Sequence, residues 1–333
     1  MKSPKKTTTT KSRLAGETIY VQCDADIVGG KMLDHYTSPI TPTVVSRLLN
    51  AGAHIKYVTL KEINTDKPRF AIVFAKAGYV PTDSNTNGRY GMQPSYGAVS
   101  RYGFPAVASS MDVAGCIASS PSDIALIMSV IGGKDDNDST SFGEVFDAPD
   151  AKAQLKIGII KGFSNKSVVD YTKKLSKLGH EISEVSMPIL EFALPVYTVI
   201  KSAETASNFY RYDGMRYGYR LPDAHTLDDI YSGSRGEGLS DPVKHHILLG
   251  TYLLSAGQVD KYFFQAQKVR TLIINAFNDA FDKYDILVCP LSASTASASL
   301  AGLPWLATPE NVLLIGSRKS DARLLALAAE IES

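Results

Sequence analysis

Residues 90–104 read YGMQPSYGAVSRYGF, and ASSMD follows at residues 108–112. Glycine and tyrosine recur through the longer stretch, and a proline sits between Gln93 and Ser95. Glycine allows backbone conformations and close approaches that other residues resist, whereas proline fixes φ. This composition is too particular for a generic connection. It predicts a segment with a defined place in the fold.

The sequence on either side of this stretch follows helix and strand periods. TPTVVSRLLNAG (41–52) has one apolar helical face, and AHIKYVTL (53–60) then alternates like a strand. SPSDIALIMSVIGG (120–133) offers Ser120 as an N-cap and Pro121 at the first helical position. These patterns predict the helix-to-strand steps of an α/β fold.

A second unit begins after a polar, acidic run. LKIGII (155–160) reads as a buried strand, SVVDYTKKLSKLG (167–179) as a helix, and HEISEVSM (180–187) as another strand. This order predicts a βαβ unit, which implies a parallel sheet. The run before it, 134–154, lacks apolar periodicity and is predicted to be an exposed connection.

Most of the later chain reads as helix. QVDKYFFQAQKVRTLIINAFNDAFDKY (258–284) predicts the longest helix, DILVCP (285–290) and NVLLIG (311–316) predict buried strands, and SDARLLALAAEIE (320–332) predicts a closing helix. The low-complexity LSASTASASLAG (291–302) is predicted to be a loop.

These patterns predict a single folded domain. It spans residues 17–333, with an N-terminal part at 17–133 and a C-terminal part at 155–333 joined by the connection at 134–154. Residues 1–16 read as a basic flexible tail. An organelle presequence is the less favoured interpretation of that tail, because it lacks the apolar residues of an amphipathic transit helix.

Composition limits the possible classes of function. A formal net charge of +1 gives no overall field that would attract nucleic acid or an anionic membrane. Apolar runs fall short of the roughly 20 residues that a membrane helix needs, so we expect no membrane association. The three cysteines, Cys23, Cys116 and Cys289, lie too far apart for a metal motif and fit small core residues in a reducing compartment. We expect no metal site.

One charged residue falls on an apolar stripe of the long helix. Phe263, Ala266, Ile273 and Phe277 recur at helical spacing, and Arg270 lies on the same face. A buried guanidinium needs acceptors, and its fork suits a carboxylate. The spacing allows either an internal ion pair or snorkelling side chain, which it favours, or a clamp for a substrate carboxylate.

Two further groups of residues could carry chemistry. NFYRYDGMRYGYR (208–220) interleaves tyrosine with arginine, which suits stacking and pairing with RNA, although such tracts are more often half-buried helix ends. His245 and His246 are adjacent, so on a helix they point in different directions. A solvated or capping role is therefore favoured over metal binding.

Four long motifs, in this order, resemble one family. They are SYGAVSRYGFPAVASSMD (95–112), SAETASNFYRYDGMRYGYR (202–220), VKHHILLGTYLLSAG (243–257) and AQKVRTLI (266–273). The chain closely resembles the amidase-signature family, and within it the A subunits of glutamyl-tRNA(Gln) amidotransferase, with gaps from Glu17 to the C-terminus. The resemblance implies an α/β domain in which helices cover a mixed sheet, here truncated relative to the family.

The resemblance also implies a function in translation. Members of this family release ammonia from glutamine, and B- and C-type partner subunits use the ammonia, with ATP and Mg²⁺, to convert Glu-tRNA(Gln) to Gln-tRNA(Gln). The A subunit itself binds no cofactor and forms a heterotrimer with its partners. The implied compartment is the cytoplasm in bacteria and the mitochondrial matrix in eukaryotes.

The catalytic residues of the family are not found at the matching positions. A lysine held neutral, acting through a second serine, activates the nucleophilic serine of these enzymes. In the matching segment IYVQCDADI (19–27), Gln22 replaces the lysine, and a neutral amide cannot act as a general base. Residues 61–92 contain no Gly-Gly pair and a single serine, Ser84, so both family serines are missing, and Gln93 replaces a further motif lysine.

Other residues offer no obvious substitute. Ser109 and Ser110 are adjacent, but no lysine is spaced to serve them. The chain also omits the segment after CPLSAS that completes the family's glutamine pocket. The resemblance assigns Arg270 to the glutamine α-carboxylate and Tyr219, the best choice among nearby tyrosines, to the wall of that pocket.

Four hypotheses therefore remain open. The chain is a divergent member of the amidotransferase A subunits, or a catalytically silent relative that serves in partner binding. The third hypothesis, an amidase for another small amide, is disfavoured by the matches at 202–220 and 266–273. The fourth, an independent RNA-binding module, rests on the tyrosine and arginine tract alone, and the balanced charge argues against it.

Overall fold

A ten-stranded sheet forms the centre of the described part of the molecule. The computed structural model describes residues 13–75, 88–143, 146 and 154–332. The strands of the sheet are β1 (Thr18–Gln22), β2 (His54–Val58), β3 (Phe70–Ala75), β4 (Tyr90–Gln93), β5 (Val113–Ala118), β6 (Lys156–Ile160), β7 (Glu181–Val185), β8 (Ile286–Pro290), β9 (Trp305–Ala307) and β10 (Val312–Gly316).

Their spatial order is β2-β1-β3-β5-β4-β9-β10-β8-β6-β7. The first three strands run parallel, as do β8, β6 and β7, whereas the middle of the sheet is antiparallel. The sheet is therefore mixed.

Helices cover this sheet. They are α1 (Asp24–Val28), α2 (Thr43–Asn50), α3 (Leu60–Asp66), α4 (Pro121–Ile131), α5 (Lys166–Lys177), α6 (Ala193–Phe209), α7 (Ser234–Gly238), α8 (Asp241–Leu253), α9 (Phe263–Phe281), α10 (Leu291–Leu300) and α11 (Asp321–Glu332). Short 3₁₀ and π turns occupy Pro188–Phe192 and Asp229–Gly233.

Alternation along the strands divides the core into two layers. Ile19 and Val21 of β1 face one cluster of buried apolar residues, to which α2, α4, α5 and α11 contribute. Tyr20 of β1 packs against a second cluster, to which α6, α9 and α10 contribute. The predicted mixed sheet covered by helices is confirmed.

Local sequence signals positioned several elements correctly. Helix α4 begins after Ser120, whose hydroxyl accepts a hydrogen bond from Asp123 N–H, and it carries Pro121 at its first turn. The unit formed by β6, α5 and β7 has parallel strands, as predicted. The closing helix and the two late strands also form.

Three expectations differ from the structure. The run at 291–302 is helical at α10 instead of a loop, because Ala298 and Leu300 are buried against α6 and α9 and alanine favours helix. Leu14 is fully buried and donates its N–H to Ala51 O, so packed residues begin within the expected tail. Asp135 and Asp138 are buried within the expected exposed connection at 134–154.

Helices in the described ranges are too short or too polar to cross a membrane.

Candidate functional site

The carboxyl end of β1 places Gln22 next to β3. Its side chain is buried. Gln22 Nε2 donates a hydrogen bond to Asp26 Oδ2 (2.5 Å), and Gln22 Oε1 accepts one from Phe74 N–H (3.0 Å). Asp26 Oδ2 also accepts from Leu60 N–H (3.2 Å). The amide therefore links β1, α1 and β3, and both its ends are engaged in holding these elements together.

A cavity of about 220 Å³ opens beside this point. The residues that line it are Phe74, Arg101, Tyr102, Phe104, Ala106, Ser109, Asp112, Asn137 and Asp138. Phe74 links the cavity to Gln22. Its N–H donates to Gln22 Oε1, and its ring centroid lies 5.0 Å from that of Phe104, which also lines the cavity. The cavity and the end of β1 are therefore neighbouring parts of one site.

The polar groups of the cavity are largely engaged with one another. The Arg101 guanidinium stacks 4.9 Å from the ring centroid of Tyr96, donates to Thr140 Oγ1 (3.1 Å) and Ser109 O, and lies 3.6 Å from Asp138 Oδ2. Burial alone would raise the pKa of Asp138, but hydrogen bonds from Arg101 N–H and Thr140, with the charge of Arg101, lower it below its usual range. The wall carries fixed, paired charges.

Ser109 lines the cavity, and both Ser109 and the adjacent Ser110 form hydrogen bonds with side chains of a helix. Ser109 Oγ accepts a hydrogen bond from Asn208 Nδ2 (3.1 Å), and Ser110 N–H donates to Glu204 Oε2 (2.9 Å). Both partners belong to α6. The basic group at Ser110 is Arg270, and a guanidinium keeps its proton, so it cannot serve as a general base.

Arg270 lies on the buried side of α9, as its spacing predicted. Its Nε donates to Leu300 O (2.7 Å), one Nη to Ser110 Oγ (2.8 Å) and the other to Ser110 O (3.1 Å). Burial lowers the pKa of Arg270, and the charge of Glu204 opposes that shift. The guanidinium thus ties α9 to α10 and to the loop beside the cavity. Its assignment to a glutamine carboxylate stays a prediction.

Tyr219 contacts other residues than those around Arg270. Its hydroxyl donates to Glu237 Oε2 (3.0 Å), its N–H to Met32 O (2.9 Å), and Lys31 Nζ lies 5.8 Å from its ring centroid. Its ring packs against the core layer opposite to that of α9. A series of contacts thus leads from Gln22 through Phe74 to the cavity and Ser109, and Ser110, next to Ser109, binds Arg270. Tyr219 has other partners.

The histidine pair is divided between two environments. His245 is exposed, and His246 Nδ1 lies 2.9 Å from Ser202 Oγ. Burial, with the charges of Lys201 and His245, lowers the pKa of His246 to about 4. Among the described residues, histidine, cysteine and carboxylate side chains form no group that could hold a metal ion.

Sequence reasoning also missed a buried carboxylate that binds the quoted stretch from the far end of the chain. Asp321, at the start of α11, accepts hydrogen bonds from Ser95 N–H (2.7 Å) and Ser95 Oγ (2.6 Å). The two residues lie 226 positions apart, so no local pattern could have paired them. Gln93, beside Ser95, is also buried, and its amide contacts Leu303 O (3.5 Å) and Ser299 Oγ (3.3 Å). Ser84 lies outside the described residues.

Comparison with known proteins identifies relatives across most of the chain. The amidase family matches residues 83–301. The A subunit of glutamyl-tRNA(Gln) amidotransferase from Caldanaerobacter subterraneus subsp. tengcongensis is 33% identical over 402 residues, which cover 97% of this chain and 81% of that protein. The protein of the same name from Nitrosococcus oceani is 34% identical over 384 residues, with coverage of 90% and 78%.

Solved structures share the fold. The crystal structure of the A subunit of glutamyl-tRNA(Gln) amidotransferase from Thermotoga maritima superposes with a TM-score of 0.74 at 23% identity, covering 97% of this chain and 84% of that one. Peptide amidase from Stenotrophomonas maltophilia gives a TM-score of 0.75 at 19% identity, with coverage of 97% and 83%.

The sequence alignments also contain gaps. An aligned length of 402 exceeds the 333 residues of this chain, so the alignment passes over segments of the relative that have no counterpart here. Its coverage nevertheless extends over nearly the whole chain. The chain therefore belongs to the amidase family, in which its relatives include the A subunits of glutamyl-tRNA(Gln) amidotransferase.

Proposed function

We propose that this chain is an A-type subunit of a tRNA-dependent amidotransferase that does not hydrolyse glutamine by itself. In this role it serves the complex as a partner-binding subunit. Its relatives carry the name of the A subunit of glutamyl-tRNA(Gln) amidotransferase, with 33% identity over 97% of the chain. That similarity supports the amidotransferase class, and the chemistry at the end of β1 supports the loss of hydrolysis.

The observation that carries the proposal is the environment of Gln22. Its carbonyl oxygen accepts from Phe74 N–H, and its amide nitrogen donates to Asp26. A general base must take a proton at neutral pH, which an amide does not do. Both ends of the Gln22 side chain are held by these contacts, so the residue has a structural role. The serine activation that the family performs therefore finds no general base at Gln22.

The proposed complex follows from the resemblance. B- and C-type subunits would bind this chain in a heterotrimer, and the B-type subunit would use ATP and Mg²⁺ to amidate Glu-tRNA(Gln). Glutamine would bind through Arg270, provided that its α-carboxylate replaces Ser110 on the guanidinium. A bound glutamine without a nucleophile would remain intact. Tyr219 would take part only if the pocket extended to the opposite core layer.

Ammonia release tests the proposal directly. The chain is purified with its B- and C-type partner subunits, and ammonia from glutamine is measured against a no-protein control and a no-glutamine control. We expect complex formation on a sizing column and no release above the controls. Turnover by the purified complex would contradict the loss of hydrolysis, and failure of the chain to bind either partner would contradict the partner-binding role.

Glutamine binding is tested separately by calorimetry. Arg270→Ala should abolish any binding if the guanidinium clamps the α-carboxylate, because a charge-assisted bidentate pair is lost. Lys268→Ala is the matched control, since Lys268 is an exposed cation on the same helix. Equal glutamine affinity in Arg270→Ala, Lys268→Ala and the unchanged chain would exclude the clamp.

A further inference from the structure

The tyrosine and arginine tract is only partly a buried helix end. Tyr212 is buried and its ring lies 5.3 Å from the ring of Phe209, as the interpretation of the tract as a half-buried helix end predicts. Other residues of the tract point to solvent. We call them the tyrosine–arginine face: Tyr210, Arg211, Met215, Arg216, Tyr217 and Arg220.

The aromatic rings of this face are unusually accessible. Tyr210 is 73% exposed and Tyr217 is 60% exposed. Tyrosine normally covers its ring with apolar neighbours and leaves only its polar tip in water. Two such rings in one short segment offer flat surfaces on which a planar partner can stack, and every nucleic-acid base has such a surface.

The charged residues of the tract are mainly positive. Arg211, Arg216 and Arg220 are all exposed, and the Arg216 side chain is 81% exposed. Asp213, the acidic residue of the tract, is buried and accepts from Arg216 N–H (2.9 Å), while Arg216 Nε lies 3.8 Å from its Oδ2. Arg211 Nε donates to Asn208 O (2.8 Å). These contacts use part of the Arg211 and Arg216 guanidinium groups, and the exposed remainder can pair with phosphate groups.

The backbone beneath the face is firmly held. One Nη of Arg235 donates to Phe209 O (2.9 Å) and to Tyr212 O (2.8 Å). Gly214 N–H donates to Tyr217 O (3.2 Å), which closes the turn between them. A backbone fixed in this way loses little conformational entropy on binding.

From this combination we propose that the tyrosine–arginine face binds single-stranded RNA. Bases stack on Tyr210 and Tyr217, and phosphates pair with Arg211, Arg216 and Arg220. Unpaired bases are required, because the bases of a duplex are stacked on each other and cannot lie on tyrosine rings. The inference is independent of glutamine hydrolysis and of the partner subunits, because it concerns contacts that this chain makes alone.

Fluorescence anisotropy with a labelled oligouridine of about ten nucleotides tests the proposal on the full chain. Three phosphate contacts should give a slope of log K against log salt of about −2 between 50 and 200 mM salt. Tyr210→Ala and Tyr217→Ala should each weaken binding by roughly 5- to 150-fold, whereas Tyr217→Phe should keep it, since stacking needs only the ring. Tyr57→Ala is the control, because Tyr57 is 56% exposed on β2.

Four outcomes would overturn the proposal. They are the absence of measurable binding at 50 mM salt, equal affinity for a duplex RNA of the same length, unchanged affinity in a folded Tyr210→Ala/Tyr217→Ala double variant, and binding to anionic phosphatidylserine vesicles in place of RNA. Circular dichroism of each variant checks that it folds. The glutamine assay does not bear on any of these outcomes.

Discussion

Replacing Asp321 with asparagine probes the contact that fastens α11 to the quoted stretch. Asp321 and Ser95 are both fully buried, and the carboxylate accepts from the N–H and the hydroxyl of Ser95. Lys319 N–H donates to Ser95 Oγ (2.9 Å), which leaves that hydroxyl pointing its proton at Asp321. Asparagine has nearly the same shape, can accept from Ser95 N–H, and cannot ionise.

Burial raises the pKa of Asp321 to about 6 from 3.8, although the hydrogen bonds from Ser95 oppose the shift. Because the folded pKa lies above the unfolded one, the stability from this group is complete below pH 3.8 and is lost as the pH rises through 6. At 1.36 kcal/mol per pKa unit, the loss amounts to about 3 kcal/mol. Asp321→Asn removes this loss, so relative to the original chain it should gain about that much between pH 4 and pH 7.

Urea unfolding measures the difference. The single tryptophan, Trp305, is fully buried and reports unfolding by fluorescence. Asp135→Asn is a control of opposite sign, whose effect falls between about pH 4 and pH 2. Burial raises the pKa of Asp135, but hydrogen bonds from Ser100, Thr43 and Asn137 outweigh burial and lower the pKa to about 2. The Asp135 carboxylate therefore stabilises the fold above its unfolded pKa, and this stabilisation is lost as the pH falls. A stability difference between Asp321→Asn and the original chain that stays constant from pH 4 to 7 would refute the reasoning.

Two other perturbations test the helical layer. Gly250→Ala places a Cβ 2.0 Å from Ser202 O, so it should force α8 away from α6 and lower the free energy of unfolding by about 1–3 kcal/mol. Gly236→Ala is the control and should not destabilise the protein, because nothing lies within 4 Å of a Cβ at that position. Equal urea midpoints for the two variants would contradict this prediction. The pKa of His246, about 4, lies below its unfolded value of 6.5, so stability is lost as the pH falls through this range. In urea titrations at pH 7 and pH 5, the free energy of unfolding of His246→Gln should fall less between the two pH values than that of the original chain. An unchanged pH dependence would show that His246 does not cause the loss of stability.

Sequence patterns predicted the elements whose signals are local. The cap at Ser120 and the helical face of residues 41–52 need only neighbours along the chain, and both formed as α4 and α2. Helix α10 was missed because its residues, mostly serine and alanine, carry little periodicity of their own. Burial of Leu300 against other helices stabilises it, and no window of sequence shows that contact.

In the candidate site, too, local patterns predicted the position of a residue but not its distant partners. The helical period predicted that Arg270 would lie on the buried face of α9. Its partners could not be predicted, because Ser110 and Leu300 lie 160 and 30 residues away along the chain. Gln22 was identified by comparison with the family lysine, while the two contacts that occupy its amide, with Asp26 and Phe74, emerge only in the fold.

The quoted stretch is held by packing that requires glycine at two positions. Gly97 has φ +89°, and a Cβ there would lie 2.3 Å from Thr140 O; Gly103 has φ +91°, and a Cβ there would lie 2.5 Å from Pro42 Cα. Other residues would be strained and would collide at both positions. Such constraints act whether or not the protein hydrolyses an amide. Similarity in this stretch therefore indicates the fold, and an indication of activity has to come from the end of β1, where Gln22 stands.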